Sequence, residues 1–376
     1  MSIEYKEESR YKTEKKTKAL LIAAPPYVAA FHAHMQGGRR EALTIHAYIR
    51  DVLEFLSYEK EMLAGRYQDT PLSALPITLF DQLTPRDLEE YRDYLRHVRM
   101  VANSSAKRKL SALSVFFRYL LSEGDIEKNP MAEFDYPVEN RHRIIHLDSD
   151  LSQRLLAGVL ANDKYLLVSG EGTDQTWSVI DIPEDIRCRR EPLVLRNYAI
   201  LRLFLGSGLR VSELVGLDLS DIHFSRSSVT IIQKGGDETE VFFNETVADA
   251  LRAYIYAQAP PGSSKSRTGR AALGPKKGCE AVFITTRGSR MSVRAVELMV
   301  KEMAQTYLPD YDDKDIFSPH KLRATCATRI LAQTGNVALA SRQLNHKGVA
   351  VTAAFYAELQ KENQKAQIQK LDVDQW

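Results

Sequence analysis

This chain of 376 residues has little cysteine and no long apolar run. Its three cysteines, Cys188, Cys279 and Cys326, are odd in number and far apart, and none lies in a Cys-x-x-Cys or Cys/His ligand pattern. This spacing excludes a disulfide framework and a structural zinc site as the basis of the fold, and favours a reduced, intracellular protein. No apolar run approaches the roughly 18 residues that a membrane helix needs, and the polar start lacks the apolar core of a signal peptide. The sequence therefore predicts a cytoplasmic protein without membrane contact.

A second absence is that of acidic residues in one stretch near the C-terminal end. No aspartate or glutamate occurs between Ile316 and Ala357, although several lysines and arginines do. A cationic stretch without acids suits a polyanion, because each cation can neutralise a phosphate and release its counterion. The formal charge of the whole chain is only +2, so a basic surface must be separated from acidic surface elsewhere. The cations of this stretch are Lys321, Arg323, Arg329, Arg342 and Lys347.

Length and periodicity predict two domains. Residues 1–18 are dense in lysine and glutamate without apolar periodicity, which is typical of a polar N-terminal arm. Helical patterns follow, with a start signal at Thr84-Pro85 and a stop signal at Gly124. One predicted apolar face includes Leu88, Tyr91, Leu95 and Val98. Pro130 and Pro137 break the helical pattern, and we expect a helical domain over residues 19–138, a linker over 139–147 and a second domain over 148–376.

Three consecutive cations stand near the start of the last helix of the first domain. They are Lys107, Arg108 and Lys109, and the first half of that helix contains no acid. Two interpretations stay open, a solvated helix end and a helix presented to DNA phosphates. On the second interpretation these three residues, with Lys321 of the acid-free stretch, are candidate DNA contacts.

The second domain combines helices with one small sheet. A polar segment over about 162–190 shows no regular pattern and is typical of a surface insertion. A strongly apolar helix then leads to Arg210. After Asp221 the periodicity becomes alternating, and two β-rich runs around a Lys-Gly-Gly-Asp turn predict a hairpin with Lys234 at a strand end. The predicted fold class is mainly α with a small β-sheet.

Several side chains of this domain fit phosphoryl transfer at a DNA backbone. That reaction needs a nucleophile, positive donors around the non-bridging oxygens and an acid for the leaving oxygen. Arginine suits the second task, because its planar fork binds two phosphate oxygens and stays charged. Each candidate taken alone is more often a core residue, a surface residue or an ion-pair partner. Together the candidates are Arg210, Lys234, His320, Arg323, His346 and Tyr356, with Glu213 one helical turn after Arg210.

The order of these residues and the short sequence motifs around them resemble the tyrosine recombinase (phage integrase) family. The likeness covers residues 190–360, and residues 20–130 look like the core-binding domain of that family. In chain order the motifs are SGLRVSEL with Arg210 and Glu213, QKGGDETEVFF with Lys234, PHKLRATCAT with His320 and Arg323, and LNHKGVAVTAAFY with His346 and Tyr356.

The resemblance implies a fold and a reaction. The fold would be a clamp, with a SAM-like helical core-binding domain on one face of the duplex and a mixed α/β catalytic domain on the other. In the reaction, Tyr356 would attack the scissile phosphorus and form a 3′-phosphotyrosyl link without a metal or another cofactor. Lys234 would protonate the leaving 5′ oxygen and His320 would assist proton movement. The non-bridging oxygens would be held by Arg210, Arg323 and His346, with Glu213 orienting the arginines.

The resemblance also implies partners. These are double-stranded DNA with an inverted-repeat recombination site, and three further copies of the chain in a homotetramer on two such sites. The C-terminal tail, residues 358–376, would pack on a neighbouring copy, although packing on its own copy stays open. Such a protein would be associated with the nucleoid.

The biological role is left open by the departures from the family pattern. Ala324 stands where many members have a second histidine, and Asn345 replaces a glycine, which we expect to alter only a turn. Tyr356 lies ten positions after His346, one more than is usual in Xer-type chromosome resolvases, and this favours an integrase or excisionase of a phage or conjugative transposon. The insertion near 162–190 favours Xer-like chromosome dimer resolution by a single recombinase. A type IB topoisomerase-like enzyme and a non-catalytic DNA-binding regulator are more distant alternatives.

Overall fold

The chain divides into two compact units. The computed structural model describes residues 3–38, 40–62, 67, 69–136, 146–169, 176–181, 184–232, 237–256 and 269–345, with residues 353 and 360 beyond them. One unit covers residues 4–142 and the other runs from residue 143 onward. No helix within the described ranges is both long and apolar enough to cross a membrane.

The first unit has helices joined by turns and loops, and no strand within its described ranges. A π-helical turn, Tyr94–Val98, extends the fourth α-helix, and two 3-10 turns, Leu72–Ala74 and Ile77–Gln82, precede it. The α-helices are α1 (Ile3–Leu21), α2 (Pro26–Gly37), α3 (Ala42–Met62), α4 (Pro85–Asp93) and α5 (Asn103–Glu123).

The predicted start and stop signals of this unit are confirmed. The Asp87 carboxylate accepts hydrogen bonds from the backbone N and the Oγ1 of Thr84, both at 2.7 Å, and Pro85 occupies the first helical position of α4. Gly124 ends α5 in the left-handed region, with φ of 78°.

Helix α1 forms where the sequence pattern predicts a polar arm. Its Thr17 is buried and places Oγ1 3.1 Å from Nδ1 of His46 on α3. An ion pair between Glu8 and Lys12, one turn apart, supports the exposed face. Because the packed face of α1 is polar, apolar periodicity does not reveal it.

Aromatic rings dominate the core of the first unit. Phe55 meets Tyr91 edge-on at 5.0 Å between centroids, and Phe80 meets Phe117 edge-on at 5.4 Å. Such pairs contribute about 0.5–1.5 kcal/mol each beyond the area they bury. The core joins α3, α4 and α5, since these four rings are all buried.

The second unit contains helices and two small antiparallel sheets, which confirms the predicted fold class. Short 3-10 turns occur at Leu219–Asp221 and Lys314–Ile316. The helices are α6 (Ser149–Ala161), α7 (Glu184–Ser207), α8 (Val211–Val215), α9 (Glu245–Ile255), α10 (Gly269–Ala272), α11 (Val293–Tyr307), α12 (Pro319–Thr334) and α13 (Val337–Gln343). The strands are β1 (Lys164–Ser169), β2 (Thr176–Asp181), β3 (Ile222–His223), β4 (Ser228–Ile232) and β5 (Glu238–Phe242).

The insertion near 162–190 is more regular than its sequence pattern predicts. Strands β1 and β2 form an antiparallel hairpin in which Lys164 lies opposite Asp181, and the first turns of α7 follow. The hydroxyl of Tyr307 on α11 donates to the backbone oxygen of Lys164 at 3.2 Å. This hydrogen bond joins the start of the hairpin to the helical part of the unit.

The predicted hairpin after Asp221 is confirmed. Its sheet has the order β3-β4-β5, and in the β4–β5 pair Ser228 lies opposite Phe242 and Ile232 opposite Glu238. The turn over residues 233–236, which includes Lys234, lies outside the described residues.

Helix α7 forms the centre of the second unit and positions the candidate site. It packs against α6, α9, α10 and α12, and its residues Ala199, Leu203 and Phe204 are fully buried. The close approach to α9 requires a glycine, since a Cβ on Gly206 would lie 2.4 Å from Cγ2 of Val247. The C-terminal end of α7 is therefore held firmly where the chain turns toward Arg210.

Candidate active site

Arg210 lies at the junction between α7 and α8. Gly208 makes the turn with φ of 68°, and a Cβ there would lie 2.5 Å from Cδ2 of Leu344. Both the backbone conformation and the close approach therefore call for glycine. The Glu213 carboxylate then accepts from the backbone N and from Nη1 of Arg210, each at 2.7 Å. This reciprocal cap fixes the guanidinium of Arg210 while its side chain stays 43% exposed.

Arg323 reaches the same place from the first turns of α12. Its side chain is only 7% exposed, and it donates from Nη1 to the backbone oxygen of Gly208 and from Nη2 to that of Leu344. The nearest oxygen of Glu213 lies 4.0 Å from Nη1. Carbonyl groups, rather than a carboxylate, thus hold this guanidinium.

The two arginines are linked through consecutive backbone carbonyls. Leu344 accepts from Arg323, and Asn345 accepts from Nη2 of Arg210 at 3.1 Å. Asn345 has φ of 50°, in the left-handed region that glycine and asparagine tolerate best. Asn345 lies in a turn, and the expectation that its replacement of glycine alters only this turn stays a prediction.

The charges around Arg210 and Arg323 favour the binding of an anion. Burial, followed by the positive charge of Arg210, lowers the pKa of Arg323 to about 10, and Glu213 opposes this effect. The guanidinium of Arg323 therefore remains charged at neutral pH, and the carboxylate of Glu213 lies near it and Arg210. A phosphate would supply the missing negative charge, and arginine forks match its oxygens.

His320 lies at the second residue of α12 with an exposed side chain. Partial loss of water around the ring lowers the pKa of this histidine below its ordinary value, and the positive charges of Arg323, Lys321 and Arg210 lower it further. The ring is therefore mostly neutral near pH 7 and able to accept a proton.

The structure brings together four of the predicted site residues, namely Arg210, Glu213, His320 and Arg323. The other three, Lys234, His346 and Tyr356, lie outside the described residues. Within the described ranges, no group of three histidine, cysteine or acidic side chains could hold a metal ion.

The candidate DNA contacts of α5 have partners within the protein. Arg108 donates from both terminal nitrogens to the fully buried Asp51, and Lys109 donates to Asp51 at 3.2 Å and to Glu54 at 2.5 Å. Lys109 is itself buried, whereas Lys107 and Arg108 are half-buried. These ion pairs give Arg108 and Lys109 a role in joining α5 to α3, which sequence reasoning missed. The sequence did contain a sign of a buried acid that needs a cation, since Asp51 stands between Ile49 and Val52 on an apolar helix face.

Lys321 lies next to His320 on α12 and is half-buried. The contact of Lys107, Arg108, Lys109 and Lys321 with DNA stays a prediction.

Two family matches cover most of the chain. The phage integrase family matches residues 174–363, and the N-terminal SAM-like domain of phage integrases matches residues 28–124. The chain belongs to the phage integrase family. It is a tyrosine-type, site-specific DNA recombinase, so the expected family and enzyme class are confirmed.

Curated recombinases resemble this chain over nearly its whole length. The tyrosine recombinase XerC of Caldanaerobacter subterraneus subsp. tengcongensis is 28% identical over 324 residues, which cover 84% of this chain and 78% of that protein. The tyrosine recombinase XerS of Streptococcus gordonii is 27% identical over 370 residues, which cover 94% of this chain and 97% of that protein.

Solved structures share the fold of this recombinase. The XerH recombinase bound to a palindromic difH substrate has a TM-score of 0.58 and 14% identity, covering 88% of this chain and 80% of that one. The Tn1549 transposon integrase in complex with transposon right end DNA has a TM-score of 0.57 and 17% identity, covering 92% of this chain and 99% of that one.

Proposed function

We propose that this recombinase cuts and rejoins DNA through Tyr356, and that its biological role is Xer-like resolution of chromosome dimers. The observation that carries the proposal is the arginine pocket of Arg210 and Arg323. Glu213 and the carbonyls of Leu344 and Asn345 orient both guanidiniums. Such fixed donors stabilise charge that builds up on non-bridging phosphate oxygens in a transition state.

The proposed cleavage step is an exchange of one phosphoester bond for another. The phenolic oxygen of Tyr356 forms a bond to the scissile phosphorus while the bond from phosphorus to the 5′ oxygen breaks. His320, neutral near pH 7, assists removal of the phenol proton, and Lys234 gives a proton to the departing 5′ oxygen. Arg210, Arg323 and His346 hold the two non-bridging oxygens.

Rejoining is the reverse reaction with a new strand. The 5′-hydroxyl of a partner strand attacks the phosphotyrosyl phosphorus, and the bond to the Tyr356 oxygen breaks. The phosphotyrosyl link conserves the energy of the phosphodiester, so the reaction requires no nucleotide cofactor. We propose that a homotetramer on two inverted-repeat sites within the nucleoid carries out this exchange.

The extent of the XerS likeness supports the chromosomal role. This chain and the XerS relative match over almost their full lengths, 94% and 97%, so the two have the same domain content. A recombinase that resolves chromosome dimers would act at one chromosomal site.

A mobile-element integrase is the second candidate. It is favoured by the step of ten residues from His346 to Tyr356 and by the likeness to the Tn1549 transposon integrase, which covers 99% of that chain. Integrase and resolvase share the cleavage chemistry and differ in where they act. The choice between them therefore depends on the DNA sites.

Substitution of Tyr356 by phenylalanine tests the chemistry. Tyr356→Phe should abolish covalent capture of a nicked duplex, because the attacking oxygen is gone, while DNA affinity stays within roughly 3-fold. Tyr256→Phe is a matched control, because Tyr256 is 63% exposed in the same unit and should keep full capture. Unchanged covalent capture by Tyr356→Phe would contradict the assignment of Tyr356 as the nucleophile.

Sequencing of trapped DNA tests the role. Wild-type protein is incubated with nicked genomic fragments, and the covalently attached DNA is sequenced. One chromosomal site supports dimer resolution, and sites that flank an excisable element support an integrase. Relaxation of plasmids without any preferred site would point to a topoisomerase, and site binding without capture would point to a regulator.

A further inference from the structure

Gln343 makes an unusual pair of contacts at the C-terminal end of α13. Its side-chain Nε2 donates to the backbone oxygen of Phe242 at 2.6 Å and to that of Ser207 at 3.2 Å. Phe242 ends β5 and Ser207 ends α7. Because a primary amide has two N–H donors, both are used here.

The two residues that follow Gln343 bind the arginine pocket. The carbonyl of Leu344 accepts from Arg323, and that of Asn345 accepts from Arg210. Three consecutive residues thus join the end of β5, the end of α7 and both arginines. The next residue in the sequence is His346.

The Gln343 contact lies at the open end of the β4–β5 hairpin. Phe242 pairs with Ser228, whereas Ile232 and Glu238 form the last pair before the turn. Five residues of strand span about 17 Å, so a tilt of about 5° at the open end would move the far pair, Ile232 and Glu238, by roughly 1.5 Å. A misplacement of about 1 Å in a catalytic group can lower a rate by about 10²-fold.

A purely stabilising role explains the contact less well. Phe242 is 54% exposed, so water could replace Gln343 at its carbonyl, and only the carbonyl of the fully buried Ser207 would lose a donor that water does not easily replace. Such a hydrogen bond contributes only a small net stability, because folding exchanges it for hydrogen bonds to water. The effect of Gln343 should therefore appear in the reaction more than in the fold.

We propose that Gln343 is a positioning residue that fixes the open end of the β4–β5 hairpin against the arginine pocket and so sets the position of Lys234 when the 5′ oxygen leaves. This inference rests on the proposed function, in which Lys234 protonates that oxygen.

Gln343→Glu is the sharpest variant for the test. The change is nearly isosteric but turns two donors into acceptors that face two carbonyl oxygens, so both hydrogen bonds are lost. Gln333→Glu is the matched control, because Gln333 is exposed on α12 and the change adds the same charge to the same unit. Gln343→Met removes the donors without adding charge and serves if the glutamate variant does not fold.

The readout is the rate of covalent adduct formation on two nicked duplexes. One has an ordinary scissile phosphate, and the other has sulfur in place of the bridging 5′ oxygen. A thiolate leaves without protonation, so the second substrate bypasses the general acid.

For Gln343→Glu we expect a rate about 10- to 100-fold below that of Gln333→Glu on the ordinary duplex, and less than about 3-fold below it on the sulfur duplex. DNA affinity should be equal in the two variants. Equal loss on both duplexes, or no loss on either, would overturn the role of Gln343, and the same criteria apply to Gln343→Met.

Lys234→Ala separates this inference from the function on which it rests. If the sulfur duplex does not restore the rate of Lys234→Ala, the assignment of the general acid in the proposed function is wrong. If it restores Lys234→Ala but not Gln343→Glu, only the positioning role of Gln343 is overturned.

Discussion

Arg108 of the first, helical unit and Arg323 of the second, catalytic unit are held in opposite ways. In the helical unit, Arg108 donates from both terminal nitrogens to one fully buried carboxylate, that of Asp51. In the catalytic unit, Arg323 donates to two backbone carbonyls, and the nearest carboxylate oxygen, on Glu213, is 4.0 Å away.

The difference separates a structural arginine from one that is ready for a ligand. A carboxylate both orients a guanidinium and neutralises it, whereas a carbonyl orients it and leaves its charge in place. The lowered pKa of Arg323, about 10, reflects burial and the nearby charge of Arg210. A DNA phosphate in the arginine pocket would relieve the repulsion between Arg210 and Arg323. Part of the free energy of DNA binding would therefore come from the phosphate that reacts.

The largest expected effect is on stability and concerns Asp51. Asp51→Asn removes the buried carboxylate, which leaves Arg108 without this partner and Lys109 with Glu54 alone, so we expect a loss of about 3–5 kcal/mol in unfolding free energy of the helical unit. Urea unfolding measures this change. The rate of covalent capture per folded molecule should not change, since Asp51 is not in the catalytic unit.

An exposed ion pair of the same unit provides the control. Glu90→Gln removes the pair with Arg86, whose side chains are 56% and 83% exposed, and should change stability by at most about 0.5 kcal/mol. If Asp51→Asn were as mild as this control, the structural role of the buried cluster would be wrong.

The next effect is on rate and concerns Arg323. Arg323→Lys keeps the charge but loses the fork that two carbonyls orient, so covalent capture should slow by about 10²–10³-fold. Stability should change by no more than about 1 kcal/mol, because no carboxylate partner is lost. Arg329→Lys, a half-buried position on the same helix, should leave the rate unchanged. A slowing of less than about 10-fold would contradict the transition-state role of the fork.

A smaller effect concerns Glu59, a buried acid of the helical unit. Within the described ranges its Oε1 has no hydrogen-bond partner, and burial, with Asp87 and Glu90 nearby, raises the pKa of Glu59 to about 8. The raised pKa means that the folded state binds a proton that the unfolded state releases above its ordinary carboxyl pKa. Stability is therefore highest below that ordinary value and is lost as the pH rises to about 8.

Glu59→Gln should remove most of this pH dependence. The variant should exceed the wild type by roughly 1–3 kcal/mol in unfolding free energy at pH 8 and by less at pH 5. Glu61→Gln, exposed on the same helix, should follow the wild type at both pH values. Parallel pH profiles of Glu59→Gln and the wild type would show that Glu59 does not titrate as described.

Elements with a local signal could be predicted, and elements that depend on packing could not. Thr84, Pro85 and Gly124 mark helix ends through contacts within one turn, and the hairpin after Asp221 has strong β-propensity. Val98 fits the apolar period of an α-helix, yet it is 68% exposed, because the backbone changes to a π-helical turn at Tyr94–Val98. A period of 3.6 residues cannot anticipate that extra residue in the turn.

The amino-acid order alone determined the family, the hairpin and the pairing of Arg210 with Glu213, because Glu213 lies three positions after Arg210 at a helix start. Only the tertiary structure decided which cations are neutralised. Arg108 meets its acid 57 residues away, and Arg323 meets a carbonyl 115 residues away. Three similar cations in a row gave no sign of which would turn inward, since contacts over such distances depend on how helices pack and not on local periodicity.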